Sequence, residues 1–102
     1  MVTDVPIACT LSADGVVERV GEWRDFLASM VQTIEATPNR AVVHLINDDQ
    51  AVLMAASLAE REKACCAFFE FSLDVAASGT DLHIAVPAEA EPILAGLLAL
   101  RP

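Results

Sequence analysis

Apolar and polar residues alternate through Ile7-Ala8-Cys9-Thr10-Leu11-Ser12, which sets Ile7, Cys9 and Leu11 on one face of a first strand. From Asp14, a capping residue, the spacing changes to three and four. Val16, Val20, Trp23, Leu27 and Met30 form one apolar stripe, predicting a helix to about residue 30 with Trp23 as its anchor. β-branched residues return between Val31 and Ile46 around the turn signal Thr37-Pro38-Asn39-Arg40, so a hairpin is expected with arms at about 31–36 and 41–46. Asn47-Asp48-Asp49 offers capping oxygens for a second helix, about Gln50 to Ala67. Phe69, Phe71, Leu73 and Val75 then alternate with polar residues, Ala77-Ser78-Gly79-Thr80 turns the chain, and Leu82, Ile84 and Val86 mark the returning strand. A last helix opens between Pro87 and Pro92, where proline in the first turn costs little, and carries Ile93, Leu94, Leu97 and Leu98.

The predicted order is βαββαββα, an α+β two-layer sandwich with helices packed on one mainly antiparallel five-stranded sheet. A chain of 102 residues supports a single domain, 1–102, with one core. A composition 55% hydrophobic and 21% charged excludes a disordered chain, and the formal net charge of -9 makes the surface acidic. The 6 basic residues are scattered among 15 acidic ones, so neither direct nucleic-acid binding nor attachment to an anionic membrane is expected. The apolar run from Ile93 to Leu100 is broken by Gly96 and falls short of the roughly 18 residues a membrane span needs. The first residues lack the basic and apolar regions of a signal peptide, so the expected location is the cytoplasm. There the three cysteines would stay reduced, which favours thiol chemistry or metal binding over a disulfide framework.

At about 100 degrees per residue, Ala51, Met54, Leu58, Glu62, Cys65 and Phe69 share one stripe of the second helix. A carboxylate in the middle of an apolar face needs a partner, a proton or a cavity, because burying it alone is costly. Cys65 lies on the same stripe, whereas Cys66 points about 100 degrees away and joins it only where the helix unwinds. Cys9, on the apolar face of the first strand, approaches from the sheet. Cys9, Glu62, Cys65 and Cys66 therefore form a candidate pocket for a soft ion of the mercury, copper(I), zinc or arsenic type. Their spacing matches no zinc ribbon and no Cys-x-x-Cys redox motif.

Two alternatives stand beside that reading. In a thiol enzyme using Cys65 or Cys66, Glu62 would serve as acid or base, although a carboxylate disfavours the thiolate and Arg61 and Lys63 point toward solvent. In a structural or dimerising module the cysteines are inert and buried. His44 and His83 are out of phase with the large apolar residues of their strands and belong on the open sheet face. Trp23, Phe26, Phe68, Phe69 and Phe71 read as core or homodimer contacts.

Four segments carry a family resemblance: Cys9-Thr10-Leu11, Glu22-Trp23-Arg24, Glu62-x-x-Cys65-Cys66-x-Phe68-Phe69-x-Phe71 and Pro87-Ala88-Glu89-Ala90. Through them the chain resembles a small domain found at the C-terminus of some MerR-type transcriptional regulators and as free-standing proteins. The resemblance implies an effector-sensing or metal-binding domain with Cys9, Cys65 and Cys66 as ligands. The chain departs from those regulators in lacking a helix-turn-helix segment, and Ala67 stands where many relatives carry proline. The combined expectation is binding of a thiophilic metal ion or thiol-reactive small molecule through Cys9, Cys65 and Cys66 with Glu62, for sensing, sequestration or transfer.

Overall fold

A computed structural model describes residues 13–102, with side-chain surroundings from residue 15. Helix α1 (Ala13–Ser29) leads into strands β1 (Val31–Thr37) and β2 (Arg40–Leu45), followed by helix α2 (Asp49–Cys65). Strands β3 (Glu70–Ala76) and β4 (Gly79–Ala85) come next, then a 3-10 turn (Ala88–Ala90) and helix α3 (Glu91–Leu98). Among the described residues the sheet has four strands rather than the expected five, all antiparallel, in the order β1-β2-β4-β3. The strand expected over residues 7–12, and with it Cys9, lies outside the described residues. The α+β class stands, and so do both hairpins.

Two central strands supply most of the sheet's share of the core. Ala41, Val43 and Leu45 of β2 and Leu82 and Ile84 of β4 are all buried, and Val43 pairs with Leu82 across the central ladder. Against them lie Trp23, Phe26 and Leu27 of α1 and Ala51, Ala55, Leu58 and Ala59 of α2. Three alanines on the buried face of α2 let its backbone approach the sheet closely. Trp23 meets Phe26 edge-on at 5.8 Å between centroids and stacks on Phe71 at 6.2 Å, which fixes α1 over the β3 edge. Val16, by contrast, is 41% exposed although it continues the Trp23 stripe. That end of α1 borders a cavity shared with α3.

Asp48 caps α2 as expected, its carboxylate accepting a 2.7 Å hydrogen bond from the Gln50 amide. At the other end α2 stops at Cys65, two residues before the expected Ala67. Cys66 leaves the helical region at φ -128 and ψ 83, and the Phe69 amide then donates to the Cys66 carbonyl to close a turn. Gly79, at φ 142, opens β4 in a conformation that favours glycine. Among the described residues no helix is long and apolar enough to cross a membrane.

Candidate metal centre

Glu62 is 7% exposed, a carboxylate on the core face of α2. Its partners come from α1, one turn apart. The Trp23 indole Nε1 donates to Glu62 Oε1 at 2.7 Å, and the Arg19 guanidinium reaches the same oxygen at 3.3 Å. Burial acts to lower the Arg19 pKa, but attraction to Glu62 and hydrogen bonds to Cys65 and Glu62 outweigh it and hold Arg19 above its ordinary value. The charged pair thus sits at the edge of the core with its cost offset by three N–H contacts, the third running to Cys65 Sγ at 3.5 Å.

The other carboxylate oxygen, Oε2, faces the Cys65 thiol. Cys65 Sγ lies 3.8 Å from it and 3.6 Å from Cys66 Sγ. One ligand atom each from Glu62, Cys65 and Cys66, all three residues buried, falls within 4.8 Å of the others. Because α2 ends at Cys65, the backbone of Cys66 turns and its sulfur comes round beside its neighbour's. A regular helix would have pointed the two apart.

These separations suit a metal. Two sulfurs bound about 2.3 Å from one tetrahedral ion stand about 3.8 Å apart, and a sulfur and a carboxylate oxygen about 3.6 Å apart. The observed 3.6 and 3.8 Å need only small side-chain adjustments. Cys65 carries a thiol, whereas Cys66 is disulfide-bonded. The expectation of three reduced thiols is therefore corrected at Cys66, and service as a thiolate ligand requires its reduction. Cys9 lies outside the described residues.

Beside the cluster a cavity of about 260 Å³ opens between α1, the turn after α2 and α3, with Trp23, Phe68, Ile93 and Leu97 in its walls. Glu62, Arg19 and Cys66 are the polar or sulfur-bearing groups lining it. Sequence reasoning placed Glu62 and Cys65 on one face and required a partner or a cavity for the acid. The structure supplies both. Arg19 was not legible in the sequence, because an α1 residue 43 positions from Glu62 leaves no local signal. Arg61 and Lys63 do face solvent, bound to Glu22 and Glu60 at 2.7 Å each.

His44 and His83 lie on the open sheet face as expected. His44 Nδ1 is 2.7 Å from Asp81 and Nε2 is 3.0 Å from Glu35, an arrangement that raises its pKa chiefly through the Asp81 hydrogen bond and then through Glu35. Asp74, Asp81 and His83 form a second, more exposed group of ligand-type atoms. No protein-family model matches the chain, and neither does any curated protein or solved structure.

Proposed function

We propose that the chain binds a thiophilic metal or metalloid ion through Cys65 and Cys66, with Glu62 as oxygen ligand or close partner, and that it senses, sequesters or hands over that ion. The observation that carries the reading is the convergence of the three ligand atoms within 4.8 Å at the C-terminal end of α2. Two sulfurs favour soft or borderline ions over magnesium or calcium, which take oxygen ligands. Arg19 balances part of the negative charge that a carboxylate and two thiolates would bring together. An effector-binding role agrees with the resemblance to the MerR-associated domain, in which Cys9 would add a third sulfur.

The test uses protein reduced with a thiol-free phosphine and titrated with mercury(II) and with zinc(II), occupancy being read by native mass spectrometry. One ion per chain is expected. Replacing both Cys65 and Cys66 by Ser should abolish stoichiometric binding with the far-UV circular dichroism unchanged, and retained binding would overturn the proposal. Protein left oxidised at Cys66 should bind far more weakly than the reduced form. A thiol enzyme has one observation in its favour, the Arg19 guanidinium beside Cys65. It predicts reactivity that survives Cys66→Ser, whereas metal binding needs both sulfurs.

A further inference from the structure

The cavity beside Cys66 is far more apolar than an inorganic ion requires. A bare metal ion is served by Cys65, Cys66 and Glu62 alone, yet Cys66 and Glu62 also form one wall of a space of about 260 Å³. The opposite walls are Val20 and Trp23 of α1, Phe68 and Phe69 of the turn, and Ile93 and Leu97 of α3. An engineered apolar cavity of about 150 Å³ holds a benzene molecule, so this one has room for a phenyl-sized group. Two sulfurs 3.6 Å apart with one apolar pocket beside them match an element that forms two bonds to sulfur and keeps one to carbon.

From this geometry we infer that the preferred ligand is a trivalent arsenical bearing one organic group, bound by Cys65 and Cys66 through arsenic with the organic group in the cavity. The inference rests on the metal-binding reading above and names its ligand class. The reaction is an exchange without net oxidation. Two arsenic–oxygen bonds of an organoarsonous acid break, two arsenic–sulfur bonds form, and each departing hydroxyl leaves as water with one thiol proton. Cys66 must enter as a thiol, so a phosphine or a cellular dithiol reductant first opens its disulfide. The Arg19 to Glu62 ion pair stays on the cavity wall, beside the arsenic end of the ligand.

The experiment compares three probes on the reduced protein: arsenite, methylarsonous acid and phenylarsine oxide. Both organic probes use the same arsenic–sulfur chemistry and differ in the group offered to the cavity. Phenylarsine oxide is expected to bind one per chain and at least tenfold tighter than methylarsonous acid. Gly96 lines the cavity, and a Cβ added there has no neighbouring element's atom within 4 Å, so Gly96→Phe can start its side chain from open space and is expected to fill part of the cavity. This variant should lose the phenyl preference while binding arsenite as the wild type does. Equal affinity for the two organic probes, or a phenyl preference that persists in Gly96→Phe, overturns the inference and leaves the metal-binding reading intact. Failure of all three probes and of mercury(II) overturns both. Gly96→Leu provides the same comparison in case the larger ring disturbs α3.

Discussion

Glu62 is a buried carboxylate whose two oxygens meet different surroundings. Its Oε1 is committed to Trp23 and Arg19, while Oε2 looks toward the Cys65 thiol. Helical phase alone put this acid on the buried stripe with Cys65, but its partners lie 39 and 43 positions away in sequence and were not legible. The division of labour between the two oxygens makes the roles separable. Trp23→Phe keeps an aromatic ring in the core but removes the N–H donor to a buried carboxylate, so unfolding free energy should fall by about 1–3 kcal/mol. Urea denaturation measures it, and an unchanged midpoint would show that water replaces the indole. Glu62→Gln retains an acceptor for Trp23 and removes the charge. It should cost less stability than Trp23→Phe, yet weaken zinc binding in the reduced protein by tenfold or more, as read by competition with a chromogenic chelator.

At the scale of elements, the start of α2 and both hairpins follow from capping and periodicity, whereas α1 already includes Asp14, its expected cap, and α2 ends two residues early, beside the cysteines. Ala, Glu and Lys up to Ala67 read as continuing helix, because intrinsic propensity carries no warning that the chain must turn into β3. Tertiary packing decides there: Cys66 and Phe68 are both buried, which a regular helix could not achieve on one face. The 66–69 turn places Ala67 as the first of its two central residues, where proline is favoured, and no backbone bond from the Ala67 amide is seen among the described residues. Ala67→Pro should therefore stabilise the fold by about 0.4–1 kcal/mol, mainly by restricting the unfolded chain. A higher urea midpoint with metal affinity retained is the expected result. A loss of stability would mean that the helix end needs residue 67 unrestricted.

The whole molecule divides its chemistry between two faces of the sheet. Among the described residues, the helix-covered face holds the aromatic core with Cys65 and Cys66, while the other face carries acidic groups and the two histidines, in keeping with a formal net charge of -9. Alternation along β2 and β4 made the open-face assignment of His44 and His83 legible, but not the pairing of His44 with carboxylates on both neighbouring strands. Asp74 stands directly opposite Asp81, so His44 works within a local excess of negative charge that also includes Glu35, with His83 nearby. Both carboxylates favour imidazolium, and the folded pKa of His44 is raised above its unfolded value of about 6.5. The sign follows from linkage: the folded state holds this proton more tightly, so the stabilisation is fully present below about pH 6.5 and is lost as pH rises through the folded value. Thermal melts across this window should show the wild type losing stability relative to His44→Gln, with the two curves parallel at higher pH. Because the pair is solvent-accessible, added salt should shrink the difference, and a pH-independent gap between wild type and variant would show that His44 acts through packing instead.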